Sequence, residues 1–163
     1  MKAISLWQPW ALGLKKIETR SWPTKYRGPL AIHAAQKKVF FTDVPFEIIA
    51  ALYDTKLHPA DLPYGGIIAT VTLIDCIPIT TRNHPLAPEI FCGNFTPFKK
   101  IIPLRGRQGL FNVPDEALRV CRVCGCSELN ACEGGCSWVE KDLCSACIDI
   151  LSTRRDRRFK RGG

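Results

Sequence analysis

Gly13-Leu14-Lys15-Lys16-Ile17-Glu18-Thr19-Arg20 spaces a glycine, a lysine, a glutamate and an arginine as G-x-K-x-x-E-x-R. Lys15 and Glu18, three apart, share a face of a helical turn. Glu18 and Arg20, two apart, share a face of a strand. The segment therefore reads as a turn feeding a strand, with charge on both sides of the junction. Trp7, Trp10 and Trp22 flank it. Ionisable groups of both signs beside indole rings are what a small polar ligand or a nucleotide requires. A solvated charged turn is the plain alternative for any window of this kind.

Outward from this segment, Lys2 to Trp7 alternates as a strand and Pro9 opens a short helix. Ile17 to Trp22 reads as a strand stopped by Pro23, and Pro29 to His33 as an apolar strand. Val44 to Tyr53 reads as a helix, with Phe46, Ile49, Ala50 and Tyr53 at helical spacing. Ile67 to Ile74 is rich in β-branched residues and predicts a strand. Residues 78–100, which carry Pro78, Pro85, Pro88 and Pro97, read as loop, and Ile101-Ile102 and Leu110-Phe111 bracket a turn at Gly106 and Gly109. Short strands with one good helix predict an α+β fold: a small β-barrel with flanking helices.

The chain has 163 residues. That length suits one domain over residues 1–115, a small module over 119–150 and a basic tail over 151–163. No run of 18 apolar residues is present, which argues against a membrane span. The N-terminus lacks the pattern of a secretory signal, so a cytoplasmic protein is expected. Charge is uneven: 14 Lys/Arg against 9 Asp/Glu over 1–118, 3 against 5 over 119–153, and 6 against 1 over 154–163. A basic body with a basic tail (Arg154, Arg155, Arg157, Arg158, Lys160, Arg161) favours a polyanion, and nucleic acid is the default one.

Seven of the nine cysteines lie between 121 and 147. Without a secretory signal such density points to metal rather than disulfides. Cys121-x2-Cys124 and Cys144-x2-Cys147 form two chelating knuckles that complete a tetrahedron around Zn2+. Four thiolates leave no open position, so the ion stabilises rather than catalyses. Cys126, Cys132 and Cys136 remain, and with a carboxylate such as Glu128 or Glu133 they suit a second ion. An iron–sulfur cluster is the other option, but the C-x-C and C-x5-C spacings match neither common ferredoxin pattern. Cys76 ends an apolar strand and Cys92 falls in a loop. Neither has a base beside it in sequence.

Four further stretches stand in order around the opening segment: Leu6-Trp7-Gln8-Pro9-Trp10-Ala11, Arg27-Gly28-Pro29-Leu30-Ala31-Ile32-His33-Ala34, Gly65-Gly66-Ile67-Ile68-Ala69-Thr70-Val71-Thr72-Leu73 and Gly106-Arg107-Gln108-Gly109-Leu110-Phe111. Together with G-x-K-x-x-E-x-R they resemble the ASCH domain, a relative of the PUA RNA-binding fold, over about residues 1–115. The resemblance implies a cleft near a barrel and a role in RNA binding. Members also include a nuclease and an amidohydrolase acting on N4-acetylcytidine. That enzyme's catalytic lysine matches Lys15, but its catalytic threonine falls at Glu18, so its triad is not reproduced. Relatives carry a further aromatic strand where this chain runs Thr96-Pro97-Phe98-Lys99. The cysteine-rich stretch is similar to tails on small phage and bacterial proteins. That likeness implies such an origin, with host cytoplasm as the location for a phage protein.

The residues assign chemistry as follows. Lys15 is a cation for phosphate or carbonyl, and Glu18 an acceptor for a base edge or water. Arg20 and Arg27 suit bidentate phosphate contacts, and Trp10 and Trp22 offer stacking faces. His33 faces the cleft or is a satisfied core histidine. The first expectation is a nucleic-acid-binding protein, RNA favoured over DNA through the PUA kinship, with a basic tail gripping phosphates. The second is a hydrolase of RNA or of a modified nucleoside, in which a Lys15–Glu18 pair activates water. The third is a protein-interaction adaptor built on the zinc module.

Overall fold

Leu30, Ala31, Ile32, His33 and Ala34 are all buried, so strand β3 (Gly28–Ala34) has neighbours on both edges and cover on both faces. This is the signature of a central strand, whose apolar run does not alternate. The computed structural model describes residues 1–13, 17–38, 42, 44–54, 61–78, 88–148 and 150. Around β3 stand β1 (Lys2–Leu6), β2 (Ile17–Thr19), β4 (Gly66–Pro78), β5 (Pro88–Pro103) and β6 (Leu110–Asn112). They form one sheet in the order β2-β5-β4-β3-β1-β6. β1 and β3 run parallel, with Ser5 opposite His33, and the other pairings are antiparallel. The core gathers Ile4, Ala11, Leu30, Ile32, Ile68, Val71 and Leu73, with Trp22 and Tyr26 packed against it.

Three expectations change. No closed barrel forms among the described residues: β2 and β6 are free edges of an open sheet. The sheet nonetheless curls, because Arg20, just past edge strand β2, hydrogen-bonds to Ser5 in β1, next to the opposite edge. Second, residues 88–100 are strand, not loop. β5 spans Pro88–Pro103 and runs through Thr96-Pro97-Phe98-Lys99, so Cys92 is a strand residue opposite Leu73. The prolines misled because they sit where a ladder tolerates them: Pro88 and Pro103 at the ends, Pro97 at a register irregularity opposite Ala69. Third, helix α1 (Phe46–Asp54) buries Leu52 and leaves Phe46 and Tyr53 exposed. Its inward face therefore runs through Leu52, and of the four residues read at helical spacing Ile49 and Ala50 are half-buried while Phe46 and Tyr53 lie outside that face. Pro9 precedes only a single 3-10 turn, Trp10–Leu12.

The chain divides into two compact units, Met1–Val113 and Pro114–Gly163. The second contains a 3-10 turn (Glu116–Leu118), a two-stranded hairpin of β7 (Trp138–Glu140) and β8 (Leu143–Cys144), and a further 3-10 turn (Ser145–Cys147). Its buried core is Cys121, Cys126, Leu143, Cys144 and Cys147. Leu143 is the one large aliphatic side chain among these five, far too little apolar area to offset chain entropy. Among the described residues no helix is long and apolar enough to cross a membrane.

Candidate functional site

Two sites emerge, one in each unit. The first begins with a carbonyl at a strand end. Leu6 O accepts from Ala35 N on the β3 side of β1. By strand alternation Ser5 O points to the other side, where β6 has already ended, since its ladder covers only Lys2 to Ile4. Arg20 fills this gap: its Nη2 donates to Ser5 O at 2.8 Å and pairs with Glu18 Oε1 at 3.1 Å. Its Nε is buried and has no partner among the described residues. Glu18, paired with Ile90 in the β2–β5 ladder, is thereby held at a fixed angle. Gly13 ends the Trp10–Leu12 turn at φ +79°, with the Phe95 ring of β5 packed against it. Ser5, Leu6, Trp7, Trp10, Glu18 and Arg20 line an open cavity of about 280 Å³. That is near the lower end of small-ligand pockets, roughly 300–1,000 Å³.

This cavity unites Trp10, Glu18 and Arg20, and it adds Trp7. Trp7 is 53% exposed and carries the Lys37 ammonium 4.5 Å from its ring centroid. The three-residue spacing of Trp7 and Trp10 was the available signal for pairing them. Lys15 lies outside the described residues, as do Arg154, Arg155, Arg157, Arg158, Lys160 and Arg161. Trp22 is half-buried against the core. Arg27 donates to Asp75 Oδ1 at 2.5 Å and to Thr24 O and Tyr26 O at 2.9 and 2.8 Å, pinning the segment before β3 to β4. The Asp75 carboxyl is held below its usual range by the Cys76 backbone N–H and then by Arg27.

His33 is 2% exposed. It borders a second concavity with Gln36, Leu104, Arg105 and Gly106, not the one lined by Glu18. Its Nε2 lies 2.8 Å from Leu104 O, a pure acceptor, so Nε2 carries the proton. Nδ1 then accepts from the Ser5 hydroxyl at 3.1 Å. Burial pushes the imidazole below its ordinary value, only partly offset by the Leu104 carbonyl. Gly106 packs over this pair so closely that a Cβ would lie 2.6 Å from Ser5 Oγ.

The second site is the cysteine cluster. The backbone folds the first knuckle tightly: Gly125 N donates to Cys121 O at 2.8 Å, and Cys121 N to Cys126 O at 2.8 Å. Gly125, Gly134 and Gly135 take positive φ where the chain must reverse between ligands. Two sets of four thiols have their Sγ atoms mutually within 4.8 Å: Cys121, Cys124, Cys126, Cys144 and Cys126, Cys132, Cys136, Cys144. Cys147 is buried, with side-chain contacts to Cys124, Cys144 and Cys121. Trp138 Nε1 donates to Glu128 Oε2 at 2.6 Å, and Arg119 stacks 4.2 Å from the Trp138 ring. Arg122 bridges Glu140 and Asp142.

The thiols divide in their affinity for protons. Burial opposes ionisation of Cys124, but the Cys126 backbone N–H and neighbouring thiols outweigh it and bring it to about 6. Contact with Cys124 and then burial push Cys132 up to about 12. Burial raises Cys126 and Cys147. Some members favour the thiolate and others resist it, as closely packed ionisable groups of like charge must. A soft, all-sulfur donor set of this density fits a bound metal ion.

The ASCH domain family matches residues 4–102 of the chain. Activating signal cointegrator 1 of Homo sapiens is 38% identical over 85 residues, covering 45% of this chain and 14% of that protein. Its Mus musculus counterpart is 37% identical over the same span, with the same coverage. The chain thus corresponds to about one-seventh of the length of these relatives.

Proposed function

The chain belongs to the ASCH domain family, and from that premise we propose that it binds nucleic acid, RNA in preference to DNA, through the Trp7–Trp10–Glu18–Arg20 cavity. In this reading the cysteine-rich unit over 119–150 holds Zn2+ for stability, and the tail over 151–163 adds phosphate contacts.

The observation that carries the reading is the cavity itself. It joins two indoles to a carboxylate whose position is fixed by Arg20. Indole faces accept any base by stacking. A fixed carboxylate accepts from base amino and imino groups, which phosphate cannot supply. Arg20 is committed to Ser5 and Glu18, so its role is to position Glu18. Phosphate contacts fall to Lys37 at the rim, to Lys15 and to the tail cations. Trp22, Arg27 and His33 serve as scaffold.

A hydrolase acting on RNA or an N4-acylcytidine is the second reading, and the Glu18 carboxylate in an open cavity favours it. Two features weigh against it. Glu18 is tied to Arg20, and it stands where the amidohydrolase of the family has its catalytic threonine. Fluorescence anisotropy with matched RNA and DNA 12-mers tests binding directly. Trp10→Ala should lose about 1–3 kcal/mol of stacking, which is about 5- to 150-fold in Kd. Unchanged affinity in both Trp10→Ala and Glu18→Gln would refute the cavity as the binding site. Turnover of RNA or N4-acetylcytidine that vanishes in Glu18→Gln would establish the hydrolase instead.

A further inference from the structure

The cysteine cluster has seven thiols, one short of two complete tetrahedra. A tetrahedral ion with metal–sulfur bonds of about 2.3 Å places its sulfurs about 3.8 Å apart. The Sγ separations found are 3.6 Å for Cys124–Cys132, 3.7 Å for Cys126–Cys136, 3.8 Å for Cys124–Cys144 and 4.0 Å for Cys132–Cys144. Three of them, Cys124–Cys144, Cys126–Cys136 and Cys132–Cys144, match that edge within a set of four, and the fourth, Cys124–Cys132, runs between the two sets. The cluster is also continuous. Its two sets of four share Cys126 and Cys144, both fully buried.

The remaining thiol decides between these two. Cys147 stands in neither set of four, and the thiols it interacts with are those of Cys124, Cys144 and Cys121. It therefore belongs with the two knuckles, and of the shared pair it touches Cys144. Cys144 is in turn 4.0 Å from Cys132 and stands in the second set of four with Cys126, Cys132 and Cys136. The donors outside sulfur are accounted for. No carboxylate or imidazole among the described residues joins either set. Glu128 is bonded to Trp138, and Glu133 is exposed. Backbone N–H groups aim at the sulfurs instead: Cys126 N at Cys124 Sγ (3.4 Å) and Cys132 N at Cys136 Sγ (3.5 Å), the outer-shell pattern of ligating thiolates.

We propose that this unit is a binuclear all-thiolate centre. One zinc ion is held by Cys121, Cys124, Cys144 and Cys147, a second by Cys126, Cys132, Cys136 and Cys144, and the Cys144 thiolate bridges the two. One shared sulfur lets seven cysteines fill eight coordination positions without water or oxygen. The inference rests on the reading that the cysteine unit holds metal, and goes beyond it in the number of ions and the bridge. Each ion displaces the protons of its thiols, so assembly releases up to seven protons per chain at a pH where all begin protonated.

The test uses the full chain. Metal analysis of the purified protein should give two zinc ions per chain. After exchange with 113Cd, NMR should show two resonances in the all-sulfur region, split by mutual coupling through the shared sulfur. Cys136→Ser should fall to one ion per chain and one unsplit resonance. One ion per chain in the wild type would overturn the binuclear centre while leaving a metal-bound module. Two uncoupled resonances would overturn the bridge. Iron with acid-labile sulfide, or no metal at all, would overturn the zinc reading beneath it.

Discussion

Gly13→Ala offers the sharpest test of how the G-x-K-x-x-E-x-R segment is built into the sheet. Gly13 sits at φ +79°, where an added Cβ would lie 2.7 Å from Phe95 Cδ2 and 2.8 Å from its Cγ. Two costs add. An L-residue in the left-handed region costs about 1–2 kcal/mol. A carbon pair that should rest at about 3.5–4.0 Å is compressed by about 1 Å, and overpacking of that kind costs about 1–3 kcal/mol. Phe95 is 37% exposed, so its ring can swing toward solvent and hold the second cost to the lower part of that range. The sum is about 2–4 kcal/mol, a large fraction of the roughly 5–15 kcal/mol of an ordinary domain. Gly109 supplies the control. It has φ +70° and nothing within 4 Å of a built Cβ, so Gly109→Ala should show the backbone cost alone. Urea denaturation of both variants, followed by tryptophan fluorescence, measures the difference. Adding Phe95→Ala to Gly13→Ala should recover most of the excess over Gly109→Ala. If Gly13→Ala is no worse than Gly109→Ala, or if Phe95→Ala recovers nothing, the packing of the signature glycine against β5 is wrong.

Further expectations follow from the same structure. Burial depresses the His33 imidazole in the folded chain, so the unfolded chain takes up the proton at higher pH. Stability should be full above the unfolded value of about 6.5. It should fall as pH drops below it, by up to about 1.4 kcal/mol per pH unit until the folded imidazole titrates; urea midpoints between pH 7.5 and 5 measure this, and His33→Gln should flatten the slope. Chelation should unfold the second unit: thiol titration of the native protein is expected to count far fewer reactive cysteines before a strong chelator than after, and equal counts would mean that no metal protects them. Deleting residues 154–163 removes six cations and should lower the log–log salt slope of RNA binding by about 0.7 per lost phosphate contact on single strands; an unchanged slope would exclude the tail as a phosphate clamp.

What the sequence made legible was local. The clustering of the cysteines could be read because it is written in closely spaced residues, although the sets of four that the fold assembles draw in Cys126, Cys132 and Cys136 and leave out Cys147; the apolar run of β3 could be read because a central strand abandons alternation. Glu18 and Arg20, two apart, could be placed on one strand face. What stayed hidden depended on partners distant in the chain. β5 looked like loop because its prolines are judged by local rules, whereas β4 supplies the ladder and its irregularities accommodate Pro97. Arg27 reads in the sequence as a ligand-binding cation, and its pairing with Asp75, 48 residues away, is visible only in the fold. The barrel was expected from the pattern of short strands and from the resemblance to the ASCH domain, but closure requires hydrogen bonding between β2 and β6, and among the described residues the order of strands leaves both as edges.

The position of Arg20 explains why an open sheet still forms a pocket. A flat six-stranded sheet would carry Glu18 on one side of the molecule and the β1 end, with Trp7 and Trp10, on the other. The curl brings them together, and the hydrogen bond from Arg20 to Ser5 O latches it at the point where β6 no longer covers β1. The same guanidinium orients Glu18, so one side chain completes the sheet and arms the cavity. Lysine could not substitute, because a single ammonium lacks the planar fork that reaches a carbonyl and a carboxylate in fixed directions. The arginine of the signature thus serves the fold first, and in the proposed binding role it acts only through the fold. Arg20→Lys should therefore weaken RNA binding and lower urea stability together. Glu18→Gln keeps the shape of the side chain and removes its charge, so its larger effect should fall on base preference.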